Sequence, residues 1–443
     1  MILLLWGHLL GSDSLQFGFK ADTSTTQCTW LVTEVVQHLL RQGTNPIVTV
    51  LDCTKAFDLC KFSILFGRVL DKGVPPIVVR CLMAMYQDQH GWVKWGQAKS
   101  EKFTIKNGTR QGAILSPVFW AVYCDLMIQE LRQLGVGAHV AGMFMGVACY
   151  ADDVVLIAPC QQAMQMMLAT VESFALRYNI SFSTDPDPKK SKSKCIYVVG
   201  KKRNLSKPSS LVLCGNILPW VQSAAHLGHE LHESGTLDHD TLVKRAQFIS
   251  RSVEVRNMFS WAAPADLLRI LKVYCSAFYG SMLWDLGGEK ASQLYKAWDT
   301  AVKLIWSCPR WTRTFLLQQV LLCGETSART DILSRYGKFC KGLKNSVSQE
   351  VRVLFNLAAR DLQTTTAKNI RFVQKESGTD VWTVSPAKLK QSLQSNSTVE
   401  TPVQDGWKVR YLSTLLSQRW EASVHVQEDR MTMLQELIDS LVR

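Results

Sequence analysis

A mixed fold of strands and helices, α/β or α+β, giving way to a helical C-terminal half, is what this sequence predicts. Three observations carry the prediction. From about Gln16 to Gly200, short apolar runs of strand length alternate with stretches of helical periodicity. From about His239 to Arg360 the periodicity is helical. Hydrophobic residues make up 47% of 443 residues against 20% charged, enough for a sizeable core and for two or three domains of ~150 residues each.

Taken in order, Ile47-Val-Thr-Val-Leu51 is apolar throughout and predicts a buried strand. Pro75 to Gln87 predicts a helix with proline near its start and Val78, Leu82 and Met85 on one face. Ser116-Pro117 supplies an N-cap and first turn for a helix continuing from Phe119 to Leu134. Phe144–Tyr150 and Val154–Ala158 read as two strands of a hairpin joined through Ala151-Asp152-Asp153. Met164, Met167, Leu168, Val171, Phe174 and Tyr178 recur at helical spacing as a core-packing stripe. Further on, Leu268, Leu271, Cys275 and Phe278 form one stripe, and Leu294, Trp298, Ala301 and Ile305 another. Residues 363–403 are rich in Ser, Thr, Gln and Lys with little periodicity, and predict a loosely ordered linker. Two last stripes, Leu412, Leu415, Leu416 and Trp420, then Leu434, Leu437, Ile438 and Leu441, predict amphipathic helices.

Fifty basic residues against 37 acidic give a net charge of +13, which favours a polyanionic partner, nucleic acid or anionic membrane. No stretch reaches the ~18 apolar residues of a membrane span. The apolar run Ile2–Leu10 lacks the cationic flank of a signal peptide. Thirteen cysteines without a CxxC pair fit reduced thiols in a nuclear or cytoplasmic protein. His226, His229, His232 and His239 match no structural zinc spacing and have no cysteine pair to complete a site.

The chemistry is sought in acids with apolar neighbours. Asp52 ends the Ile47–Leu51 strand, and Asp152-Asp153 follow another apolar run. A carboxylate at the end of a buried strand is costly without a cation. Three of them on neighbouring strand ends would make the hard, oxygen-rich site that Mg²⁺ prefers. Aspartate is also a favoured turn former, so the Asp152-Asp153 pair alone identifies nothing. Lys189 to Arg203 holds seven cations and no acid, namely Lys189, Lys190, Lys192, Lys194, Lys201, Lys202 and Arg203. Contact with nucleic-acid phosphates is its natural use.

Leu51-Asp52-Cys53-Thr54-Lys55-Ala56-Phe57-Asp58, Asn107-Gly108-Thr109-Arg110-Gln111-Gly112-Ala113-Ile114-Leu115-Ser116-Pro117 and Tyr150-Ala151-Asp152-Asp153 occur in that order. Together they resemble the A, B and C motifs of reverse transcriptases of LINE-type, non-LTR retrotransposons. Gln16-Phe17-Gly18-Phe19-Lys20 resembles the fingers motif upstream, Ser191-Lys192-Ser193-Lys194 the D motif, and His226-Leu227-Gly228 the segment after the palm. The resemblance spans about residues 16–230. It implies an α+β right-hand polymerase palm, an antiparallel sheet with packed helices. The implied division is partial fingers over 1–45, palm over 46–230, a thumb-like helical region over 231–330, and a helical C-terminal region over 331–443.

The resemblance also implies roles. Asp52 and Asp152 would be the principal ligands of two Mg²⁺ ions, with Asp153 beside them and the Cys53 carbonyl as a backbone ligand. Phe57 falls on the steric gate that excludes a ribose 2′-hydroxyl, although a core Phe is the alternative. Gln111 and Gly112 would line the incoming deoxynucleoside triphosphate, and Arg110 would reach template phosphate or base, or simply lie exposed. Lys192 matches the lysine that protonates pyrophosphate, with Lys194 an almost equal alternative because the Lys-Ser spacing repeats. RNA template and DNA primer are the implied partners, and RNA-directed DNA polymerase the implied activity. The alternative is a catalytically inactive or co-opted remnant that binds RNA. Family members carry a longer fingers region with triphosphate-gripping basic residues, where this chain has fifteen residues before Gln16. A truncated fragment with a sticky apolar start and a weakened nucleotide grip is therefore expected.

Overall fold

The computed structural model describes residues 2–87, 89–110, 112–185, 187, 189–200, 208–309, 311–312 and 326–396. The predicted helices over 412–441 lie outside them. The chain divides into two compact units: Met1–Thr236 with Leu343–Leu357, and Leu237–Gly342 with the chain from Ala358 onward.

The first unit is built on a four-stranded antiparallel sheet of β1 (Ile47–Asp52), β2 (Val147–Tyr150), β3 (Asp153–Ala158) and β4 (Lys194–Tyr197), in the order β4-β1-β3-β2. β1 and β3 are buried over nearly their whole length, which explains why they read as continuous apolar runs rather than alternating ones. The helices Thr25–Arg41 and Gln161–Tyr178 pack against the sheet. Met164, Met167, Leu168, Val171 and Phe174 are all buried, as their spacing predicts. The helix Thr25–Arg41 starts at a Ser24 cap, whose hydroxyl accepts from the Gln27 N–H at 3.1 Å.

A second core forms around Phe66, Tyr86, Phe119, Trp120 and Tyr123, between the helices Phe62–Asp71, Pro76–Tyr86 and Ser116–Gln133. Two local expectations are corrected here. The buried stripe of Pro76–Tyr86 is Val78, Val79, Leu82 and Tyr86, whereas Met85 is 50% exposed, because the buried face is centred on the line Val79, Leu82 and Tyr86, three and four residues apart, and Met85 lies at its edge. Ser116 is not a cap: its hydroxyl donates to the Arg110 carbonyl, tying the preceding loop to the helix, and Leu115 stands at the cap position. The apolar start is not an unpaired strand edge: Ile2–Trp6 is helical, and Leu3, Trp6, Leu9 and Leu10 pack on this core, while Leu4 and Leu5 remain exposed.

The α-helices of the second unit among the described residues are Asp238–Met258, Pro264–Ile270, Glu289–Ile305, Ala328–Lys344, the end of Gln349–Arg360, Thr365–Ser377 and Pro386–Asn396. Leu268, Leu271, Cys275 and Phe278 are buried, and so are Leu294, Trp298, Ala301 and Ile305. The loosely ordered linker expected over 363–403 is corrected for its described part. Thr364 caps Thr365–Ser377 by accepting from the Ala367 N–H at 2.9 Å, and Gly378 ends it in the left-handed region. Ile370, Val373, Leu389 and Leu393 are buried, so a few apolar residues suffice to dock these polar helices.

Candidate active site

The acids meet at one end of the sheet. β1 and β3 run antiparallel in a register that sets Asp52 directly opposite Asp153. β2 and β3 pair as a hairpin whose last pair is Tyr150 with Asp153, so Ala151 and Asp152 form a two-residue turn. Asp153 thus lies on the strand itself and Asp152 at the tip. Burial, and then the charges of Asp152 and Asp52, raise the proton affinity of Asp153.

The turn is held in a costly shape. Ala151 has φ +57°, in the left-handed region where a side chain is disfavoured. Its surroundings fix it there. The Gln16 side-chain oxygen accepts from both the Ala151 and the Gly18 N–H groups, each at 2.9 Å. The Phe17 N–H donates to the Cys149 carbonyl at 2.7 Å, and the Cys149 N–H to the Leu15 carbonyl at 2.9 Å. A Cβ on Gly18 would lie 2.4 Å from the Ala151 nitrogen, so only glycine permits this approach. The Gln16–Phe19 segment is therefore the back wall of the acidic turn, a role that its sequence alone does not disclose.

On the other side of β1, Ser191 and Ser193 are buried while Lys192 between them is exposed. The Ser193 hydroxyl accepts from the Asp52 N–H at 3.2 Å, and its own N–H donates to the Ser183 carbonyl at 3.1 Å. This pinning directs Lys192 outward, with Nζ 3.9 Å from the Asp52 carboxylate. Lys194 belongs to β4, opposite Val50, and has no such partner among the contacts of the acidic end. Cys53 bridges to Phe182, and burial first, then the surrounding acids, push its thiol well above its ordinary range.

Phe57 follows on the turn of helix after β1. Its half-buried ring lies 5.4 Å from Trp120 and 6.4 Å from Phe19, between centroids. The B segment is joined to it by backbone: the Thr109 N–H donates to the Phe57 carbonyl at 2.7 Å and the Gly108 N–H to the Cys60 carbonyl at 2.8 Å. Gly112 has φ +77° with open space around it. Arg110 is exposed, but its guanidinium donates to the Met85 carbonyl at 2.7 Å and to Gln89 at 3.3 Å, and lies over the Tyr86 ring. Lys189 and Lys190 are exposed on the loop before β4. Gln111, Lys201, Lys202 and Arg203 lie outside the described residues.

The donors suit a hard divalent cation: three carboxylates, with Asp153 showing first the cost of burial and then that of its acidic neighbours. Among the described residues, no three His, Cys, Asp or Glu side chains close to coordinating geometry as they stand. His226 and His229 pair across a separate hairpin.

A polymerase-type palm with its acids at the sheet end is the class this arrangement defines. Residues 8–231, half of the chain, match the reverse transcriptase (RNA-dependent DNA polymerase) family, and the chain belongs to it. Curated relatives include the Pol polyprotein of type-2 retrotransposable element R2DM of Drosophila melanogaster, 24% identical over 173 residues, which are 39% of this chain and 16% of that protein. The polyprotein of element R2 of Nasonia vitripennis is 22% identical over 161 residues, 36% of this chain and 16% of that protein. That of Bradysia coprophila is 27% identical over 190 residues, 41% and 21% respectively. The matches thus span less than a quarter of the relatives' length. Among solved structures, a Candida albicans telomerase superposes with a TM-score of 0.38 at 12% identity, over 88% of this chain and 54% of that one. A Candida tropicalis telomerase gives 0.39 at 10% identity, over 98% and 60%. The family assignment rests on the sequence match. No described helix is long and apolar enough to cross a membrane.

Proposed function

We propose that this chain is the RNA-directed DNA polymerase of a non-LTR retrotransposon, extending a DNA primer along an RNA template from deoxynucleoside triphosphates. The observation that carries the reading is the register that sets Asp52 against Asp153, with Asp152 at the turn beside them. Asp52, Asp152, Asp153 and the Cys53 carbonyl would hold two Mg²⁺ ions, which supply charge neutralisation and activation of the attacking hydroxyl in phosphoryl transfer. The remaining work belongs to the chain. Lys192, exposed and 3.9 Å from Asp52, can donate a proton toward a departing pyrophosphate. Phe57, wedged against Trp120, would present a fixed edge where a 2′-hydroxyl would sit. Gly112 leaves room beside it for a nucleotide, with Gln111 its neighbour in the motif. Lys189, Lys190, Lys194, Lys201, Lys202 and Arg203 would contact nucleic-acid phosphates. Intact acids speak against an inactive RNA-binding remnant.

The test is extension of a primed RNA template by the purified chain with Mg²⁺ and deoxynucleotides. Product that lengthens with the template supports the reading. Absence of product at every metal concentration, from a folded protein that binds the template, returns the chain to the RNA-binding remnant.

A further inference from the structure

Residues 89–106 form a hairpin that, apart from the bond from Arg110 to Gln89, the site described above leaves unused. His90-Gly91 pairs with Phe103-Thr104, and Lys94-Trp95 with Ala98-Lys99. Every residue from Trp92 to Thr104 is exposed. Isolated two-stranded hairpins are marginal in water, and nothing in this one is buried to support it. Yet it displays Trp95 at 86% exposure, with Trp92, Val93 and Phe103 each about half exposed or more. Lys94, Lys99, Lys102 and Lys106 stand against a single acid in the same stretch, Glu101. Lys94 and Lys99 are direct cross-strand partners, a like-charge pair that weakens the hairpin by itself. Lys99 Nζ already lies 3.8 Å over the Trp92 ring.

We propose that this hairpin is a single-stranded nucleic-acid site, its tryptophans stacking unpaired bases and its lysines meeting the phosphates. The occupant is the unpaired template strand, and in that respect the inference rests on the polymerase reading. A polyanion neutralises the Lys94–Lys99 pair and covers the indoles together, which a neutral ligand does not. A duplex hides its base faces, so exposed indoles match a single strand. A protein partner fits poorly, because interface centres are depleted in lysine and here Lys94 and Lys99 stand beside the tryptophans. The position is also apt. The Ile105 N–H donates to the Gln89 carbonyl at 2.8 Å, and the strand then runs into Gly108 and Thr109, which are bonded to Cys60 and Phe57.

The experiment measures binding of the full chain to an oligouridine longer than ~16 nucleotides, the upper end of single-strand site sizes, and to the same strand in a duplex, which should bind more weakly. W92A/W95A should weaken single-strand binding by about 10-fold or more, given typical base–aromatic stacking. W92F/W95F should restore most of it. K94Q/K99Q should flatten the slope of log affinity against log salt by ~0.7 per lost contact. Wild-type affinity in W92A/W95A overturns the proposal. So does a change in sedimentation without a change in RNA affinity, which would mark a chain–chain contact. Primer extension by the same preparations separates the two readings. Tryptophan-dependent binding without extension keeps the hairpin site and removes the polymerase. Extension with tryptophan-independent binding removes the hairpin site alone.

Discussion

Asp152 is a residue whose stability and activity effects should carry opposite signs. Its charge adds to the crowding that raises the proton affinity of Asp153. Asp152→Asn removes that repulsion, so the metal-free variant should melt at or above the wild-type temperature. Primer extension should nevertheless fall by at least about 100-fold, because transition-state charge loses its anchor. A variant that both melts lower and extends normally would refute the assignment. Phe57→Val should raise ribonucleotide over deoxynucleotide incorporation by on the order of 10-fold or more, and should cost about 1–2 kcal/mol through lost contact with Trp120. An unchanged ratio with the same loss of stability makes Phe57 a packing residue. That Asp52 and Asp152-Asp153 lie close together was legible because each adjoins an apolar run of strand length. The hydrogen bond of Ser193 to Asp52 was not, although Ser193 lies in the D-like segment, since it depends on a strand pairing that no local pattern encodes.

The element that matters most is the two-residue turn and its support. Periodicity locates β2 and β3, but not that Ala151 takes a left-handed conformation or that Gln16 holds it there from 135 residues away. Gly18→Ala should therefore act at a distance. A Cβ 2.4 Å from the Ala151 nitrogen forces the turn to shift, costing about 1–3 kcal/mol by overpacking. A displacement of about 1 Å can cost 100-fold in rate, so extension should drop far more than template binding. Equal extension rates would show that the turn tolerates the shift. The helices over 365–396 escaped the sequence reading for a different reason. Their apolar positions are sparse, and Thr364 and Gly378, which define the ends, look like ordinary loop residues until the backbone is seen.

Across the whole molecule, acid sensitivity should centre on His226. Burial, and then the neighbouring His229, push its ring down to about 3. Between its ordinary value near 6.5 and about 3, the unfolded chain binds a proton that the folded chain refuses. Stability should therefore be lost as pH falls through that window, by up to ~1.4 kcal/mol per unit from this group. His226→Gln should flatten the slope between pH 6.5 and 5 in urea titrations; a slope unchanged by the substitution would clear this group. Unit-level topology was the least legible layer. Arg132 joins Asp13 at 2.8 Å and Glu350 at 2.6 Å, and the Trp30 ring meets Phe355 at 6.0 Å, although composition gave no reason to group 343–357 with the sheet. Arg132→Ala leaves two acids without their cation and should lower stability by about 3 kcal/mol, read from the denaturant midpoint. A loss below half of that would mean solvent already screens the cluster.

That returning segment bears on biosynthesis. Glu350 lies 218 residues beyond Arg132 along the chain. A ribosome that has finished the sheet and its acids still has more than a hundred residues to make before the last piece of the same unit emerges. Until then Arg132 holds Asp13 alone and Trp30 lacks the Phe355 ring. The first unit therefore matures after translation has passed through much of the second. A nascent chain stalled before Leu343 should carry every family motif and still be more protease-sensitive than the chain that includes Leu343–Leu357.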